Sequence, residues 1–193
     1  MRTLKGLRIR GIRVESIDLP LICQHRELEA LVIDEADFDS KKLVEIRQLP
    51  NLKSLHLDQN KINLLEGCGP FPQVRILSLA NNPIGDAGLA KLATVFPGLQ
   101  SINLANTKIT DAGLLHLKLC PDLLAINLTG TKVTGDGLLP IVANRTMSVR
   151  VNSGSFAKNT IEALKQINPT SLSIIEQTTN DIVRDAFNNR DQW

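Results

Sequence analysis

The sequence predicts an α/β fold, a right-handed solenoid with a parallel sheet of about eight strands on its concave side and short helices on its convex side. The first observation behind this is recurrence. The phrase L-x-x-L-x-L-x-x-N/T-x-I returns along the chain at a nearly fixed interval, and such self-similarity marks stacked supersecondary units that share one core. The second is a change of period within each copy, from strand-like alternation to helical spacing. Strand, crossover and strand repeated in one direction favour a parallel sheet and a right-handed coil. Neighbouring strands sit about 4.8 Å apart, whereas packed helices need about 8–10 Å, so the stack has to curve toward its sheet.

The first two copies begin at Leu4 ("LKGLRIRGIRV") and Leu28 ("LEALVIDEADF"), with Ile12 and Ala36 in the N/T slot. Four unambiguous copies follow at Leu52 ("LKSLHLDQNKI"), Val74 ("VRILSLANNPI"), Leu99 ("LQSINLANTKI") and Leu123 ("LLAINLTGTKV"). In these, Leu55/Leu57, Leu77/Leu79, Ile102/Leu104 and Ile126/Leu128 alternate toward the core. Helical spacing comes next, with Leu89, Leu92 and Phe96 in one copy and Leu114, Leu117 and Cys120 in another. Weaker copies at Thr146 and Pro169 complete a series whose starts are 24, 24, 22, 25, 24, 23 and 23 residues apart. A coil this short leaves room for a helix of two to three turns. In "NDIVRDAFNNRDQW" (180–193), Ile182, Val183, Ala186 and Phe187 stand at helical spacing behind Asn180 or Asp181 as a cap. The expected domains are therefore a solenoid over 1–179 and a capping helix over 180–193. No cap precedes the first copy, so its edge strand is expected to be open to pairing with a neighbouring domain or a second copy.

The pattern resembles the leucine-rich repeat family along essentially the whole chain, most closely over 52–138. "IGDAGL" and "ITDAGL" are similar to the ribonuclease-inhibitor-like and F-box-associated repeats and to short bacterial repeats of this length. The resemblance implies recognition of a protein partner on the concave sheet. The side chains expected to point out of that sheet form two columns. One reads Arg8, Val32, His56, Ser78, Asn103, Asn127, Arg150 and Ser173, and the other Arg10, Asp34, Asp58, Ala80, Ala105, Thr129, Asn152 and Ile175. The candidate partner-binding residues are Arg8, Arg10, Val32, Asp34, His56, Asp58, Ser78, Asn103, Asn127, Arg150 and Asn152. Pairing of Arg10 with Asp34 on the adjacent strand accounts for part of the N-terminal charge. Asn60 and Asn82 are expected to bond backbone groups of the next coil, with Thr107 and Thr131 doing only part of this.

Other chemistries fit less well. Asp86 and Asp111 supply one carboxylate per coil, where calcium needs six to eight oxygens, so they read as helix-start residues suited to the macrodipole. Cys120 shares a column with Leu49, Phe71 and Phe96, and Cys68 one with Ile46, Ala93 and Leu117, which makes both packing thiols. His25, His56 and His116 have no His or Cys at zinc-ligand spacing. No catalytic or cofactor motif is present, so neither an enzyme nor a cofactor is expected. With 22 Lys+Arg against 20 Asp+Glu and 3% aromatic residues, the chain lacks both the charge and the stacking platform of a nucleic-acid binder. No run of about 18 apolar residues suggests a membrane span. Three scattered cysteines and the lack of an apolar leader point to a cytoplasmic setting. The main expectation is a protein-recognition module. The alternative is a structural or regulatory segment of a larger protein that docks through its N-terminal edge.

Overall fold

The computed structural model describes residues 3–65, 67–143, 146–167 and 172–177. Among them, eight strands form one open parallel sheet in chain order: β1 (Gly6–Arg10), β2 (Ala30–Asp34), β3 (Ser54–His56), β4 (Ile76–Ser78), β5 (Ser101–Asn103), β6 (Ala125–Asn127), β7 (Met147–Asn152) and β8 (Leu172–Gln177). One column of partners runs Arg8, Val32, His56, Ser78, Asn103, Asn127 and Arg150, as the repeat frame requires. At β8 the frame slips. Ile175 stands opposite Arg150 and Gln177 opposite Asn152, so Ser173 lies two residues outside its expected column. A slip of two preserves which face each side chain takes, so the alternation that sets the other registers is blind to it. Gln177 therefore belongs to the outward column that holds Asn152.

The inward leucines and isoleucines form one continuous core from Val14 to Leu164. Cys68 and Cys120 are buried within it, and Cys23, half-buried, places its thiol 3.3 Å from the Glu45 carbonyl. Each strand from β2 to β5 is followed by a residue at positive φ, namely Glu35, Gln59, Asn81 and Asn106, all between 54° and 57°. The left-handed well favours short polar residues and glycine, and after β6 the position is Gly130.

The convex elements are shorter than the spacing predicts. Only α2 (Ser40–Ile46) and α7 (Lys158–Ile167) reach about two turns or more, and α1 (Leu19–Cys23), of five residues, falls short of that. In the fourth copy the helical spacing splits into two single turns, α3 (Asp86–Leu89) and α4 (Leu92–Val95), broken where Lys91 leaves helical geometry at ψ 5°. In the next, α5 (Asp111–Leu114) runs into a 3-10 segment, Leu115–Leu119. Later, the 3-10 turn Asp136–Leu138 leads into α6 (Leu139–Val142). The shortest coil, between β3 and β4, has no helix among its described residues and turns through Gly67 and Gly69, both at φ 75°.

Adjacent coils are joined by side chains that reach across the stack. Asn60 Oδ1 accepts the N–H groups of Ala36 and Phe38, and its amide donates to the Ile33 and Asp58 carbonyls. Asn82 accepts from Ile62 and donates to Leu57. The direction is the reverse of that expected, because each asparagine bonds the preceding coil. Thr107 and Thr131 have a hydroxyl in that place and donate only to carbonyls of their own coil, Leu104 and Leu128. The aspartates of the D-A-G phrase work in the opposite sense. Asp86 accepts from the Thr110 N–H and hydroxyl, and Asp111 from the Thr134 N–H and hydroxyl and the Gly135 and Gly137 N–H groups. Each caps the start of the following coil. The neighbouring glycine makes that approach feasible, since a Cβ on Gly113 would stand 2.3 Å from Asp86 Oδ1 and one on Gly137 2.5 Å from the Asp111 carbonyl. The expected capping helix at 180–193, with Ile182 and Phe187, lies outside the described residues.

Candidate functional site: the outward face of the sheet

Alternation along the strands gives the sheet an outward face with three columns. The sequence pattern names two of them. The third, which it misses, holds Gly6, Ala30, Ser54, Ile76, Ser101, Ala125 and Ser148, and the slip at β8 moves Ser173 into it from the first column. Its signal is available in the sequence, because these residues stand two before each named outward position and, Ile76 apart, all are small.

Small residues beside longer ones leave two shallow depressions. The first, about 260 Å³, is lined by Gly6, Leu7, Arg8, Ala30, Val32, Ser54 and His56. The second, about 220 Å³, is lined by Ser101, Ile102, Asn103, Ala125, Ile126, Asn127, Ser148, Arg150 and Ile175. Between them stands β4, with Ile76 exposed and Ser78 buried. The structure thus gathers Arg8, Val32 and His56 at one place and Asn103, Asn127 and Arg150 at another. Ser78 is turned away, its hydroxyl donating to Asp58 Oδ1 at 2.5 Å.

Several of the candidates, Asn103 and Asn127 among them, also hold the face together through an oxygen. Asp58 Oδ1 also accepts the Ala80 N–H, and Asp34 Oδ1 accepts the Asp58 N–H. Asn103 and Asn127 accept the N–H groups of Ala105 and Thr129, and Asn152 that of Gly130. Arg10 does not pair with Asp34 as expected. Its guanidinium meets Glu35 at 2.6 Å, because the left-handed backbone at Glu35 redirects the chain just past β2. Burial lifts the Asp34 carboxyl above its usual range, with Asp58 adding to the effect. Burial likewise lifts Asp58, against the opposing bonds from Ser78 and Ala80. It lowers His56, whose Nε2 lies 3.0 Å from the Ser54 hydroxyl.

Among the described residues no cluster of three His, Cys, Asp or Glu side chains is arranged to hold a metal ion. Ser54 and His56 form the one serine–histidine contact found in either depression, and they sit in mid-sheet, where strand pairing uses the backbone N–H groups that would stabilise an oxyanion. No described helix is long and apolar enough to cross a membrane.

The family model described as "Leucine Rich repeat" matches residues 73–93. The chain is similar in structure to an internalin C2 from Listeria monocytogenes str. 4b F2365, with a TM-score of 0.67 and 18% identity over 90% of this chain and 70% of that one. An internalin, InlF, from the same organism aligns with a TM-score of 0.55 and 17% identity over 83% of this chain and 52% of that one. No curated protein sequence matches the chain. The fold is that of a leucine-rich repeat solenoid.

Proposed function

We propose that this leucine-rich repeat protein is a recognition module that binds a protein partner on the outward, concave face of its sheet. The observation that carries the reading is the pair of depressions on one continuous face of small and polar side chains. Solenoids use such extended faces for binding. The residues offered to the partner are Arg8, Val32 and His56 in one depression and Asn103, Asn127 and Arg150 in the other. Arg10, Asp34, Asp58, Ser78 and Asn152 flank or support them. No described cysteine forms a disulfide, which favours a reducing compartment such as the cytoplasm.

The test is chemical crosslinking and capture from the native cell with the wild-type chain and with Asn103→Arg and Asn127→Arg. The expected outcome is a partner that both variants lose while circular dichroism shows them still folded and melting falls only modestly, by what the lost bonds to the Ala105 and Thr129 N–H groups contribute. Leu115→Asp, on the exposed convex side, should retain the partner. A partner retained by both face variants would overturn the reading.

A second reading rests on β1, which pairs with β2 alone among the described residues and leaves its other edge open. Such an edge accepts an added strand from a neighbouring domain or from a second copy. Sedimentation velocity over a range of concentrations detects the second copy as a rising sedimentation coefficient.

A further inference from the structure

In β5 and β6 the same side chain recurs in register, Asn103 opposite Asn127. Each makes the same local bond, its Oδ1 accepting the N–H two residues on, from Ala105 at 3.1 Å and from Thr129 at 3.0 Å. Those backbone donors fix which end of each amide is oxygen, so the NH2 end is the one left over. Neither NH2 group meets an acceptor among the described residues. Both side chains line the depression of about 220 Å³, together with the Ser101 and Ser148 hydroxyls on either side of Ala125. Its one charged lining residue, Arg150, is already partnered. The outward columns of β4 to β6 hold only Ile, Ser, Ala, Asn and Thr, so the middle of the face carries no charge of its own.

From this arrangement we infer that the partner sets a carboxamide side chain, Asn or Gln, into this second depression. The inference rests on the recognition reading above and specifies the chemistry of its partner. Because both asparagines make the same local bond, their NH2 groups are offset by one strand spacing, about 4.8 Å. A single carbonyl oxygen set between them accepts from both at about 2.9 Å, and the two donors then approach it near the directions of its two lone pairs. The nitrogen of the same carboxamide has hydroxyls to donate to, at Ser101 or Ser148. The bound group therefore accepts and donates at once. A backbone carbonyl or a carboxylate only accepts, and an ammonium only donates. A carboxylate fits less well for a second reason. With Arg150 already partnered and no other cation lining the depression, its charge would lose water without gaining a counter-ion.

Panning a phage-displayed library of random dodecapeptides against the full chain tests the proposal, with affinities of selected peptides measured by fluorescence anisotropy. The expected result is enrichment of Asn or Gln at one position. Exchanging that residue for the matching acid or for Leu should weaken binding about five- to thirtyfold, the scale of one or two net hydrogen bonds. Asn103→Asp and Asn127→Asp keep an oxygen for the Ala105 and Thr129 N–H groups but remove the NH2 donor. Each variant should therefore remain folded by circular dichroism and bind about fivefold more weakly. Added salt should leave the wild-type affinity nearly unchanged, because contacts between uncharged groups are not screened. Selection of Asp or Glu at that position, or peptides blocked by Ala125→Phe yet indifferent to both asparagine substitutions, would overturn the carboxamide and leave recognition on the face intact. Binding that survives both Ala30→Phe and Ala125→Phe would overturn recognition on the face itself. A library that yields no binder would overturn the carboxamide proposal.

Discussion

Asn60 satisfies two N–H groups of the preceding coil with one oxygen, whereas Thr107 in the equivalent slot bonds only a carbonyl of its own coil. Removing Asn60 strands buried donors at about 1–3 kcal/mol each, so Asn60→Ala should cost about 2–4 kcal/mol and Thr107→Ala about 1, as read from urea midpoints. That the slot is structural is legible in the repeat. Which coil its side chain serves is not, because the backbone turn that aims it depends on the neighbouring coil. Gly137 and Gly98 make a similar contrast. A Cβ on Gly137 would meet Asp111 backbone at 2.5 and 2.8 Å, and one on Gly98 would meet the tip of the Arg75 side chain at 2.0 Å. Backbone cannot yield and a guanidinium can, so Gly137→Ala should destabilise by about 1–3 kcal/mol and Gly98→Ala by well under 1. Two aspartates respond oppositely to pH. Burial raises the Asp111 carboxyl, but the bonds from Thr134, Gly137 and Gly135 outweigh it and hold the group below its usual range. As the pH falls the unfolded chain takes up that proton first, so the stability Asp111 supplies is present above the unfolded pKa and lost as the pH falls through the folded one. Asp58 is raised, so the folded state takes up its proton first and stability gains between the two pKa values as the pH falls. Asp111→Asn should therefore lose stability at neutral pH with the deficit closing in acid. Asp58→Asn should be neutral or stabilising at neutral pH, with wild type catching up in acid. Melting curves of both variants from neutral pH down to the carboxylate range check the signs.

At the scale of the strand and its crossover, six of the seven registers between neighbouring strands follow from where they must bury leucine, isoleucine or valine, and the last does not. β8 reads Leu172, Ser173, Ile174, Ile175, and in that run a shift of two still buries isoleucine. The outcome matters to the candidate face, because the shift puts Ile175, 40% exposed, beside Arg150 in the second depression. Cysteine pairs discriminate the two frames, since Cα atoms more than about 7 Å apart cannot be bridged without moving backbone. Arg150→Cys with Ile175→Cys should oxidise to a disulfide, and Arg150→Cys with Ser173→Cys should remain reduced under the same conditions. A bridge in the second pair alone would restore the frame expected from the sequence. The helices were legible as apolar columns but not as elements. Leu89, Leu92 and Phe96 are all buried where the spacing puts them, although the backbone between them breaks at Lys91. A coil of 22 to 25 residues must return to the sheet, and one of 22 does so through Gly67 and Gly69 with no helix among its described residues.

For the whole molecule, coils that touch only their neighbours make stability a sum of coil and interface terms, so opening is expected to begin at an end. The interfaces here are unequal. Asn60 and Asn82 tie the middle coils backward, Asp86 and Asp111 tie them forward, and the first coil is joined at its strand by pairing to β2 and by the exposed Arg10–Glu35 ion pair. An exposed pair of that kind contributes at most about 1 kcal/mol. Hydrogen exchange should therefore find the slowest amides at Leu57, Leu79 and Leu104, which donate across β3 to β6, and faster exchange at β1. Asp111→Ala removes the cap on the coil that follows β6, a loss of about 1 kcal/mol. If coupling runs from neighbour to neighbour, that variant should speed exchange in β7 and leave the β1–β3 amides unchanged. Equal acceleration in every strand would mean that the stack opens as one unit, and that a partner bound at one depression would stabilise the other through the intervening coils.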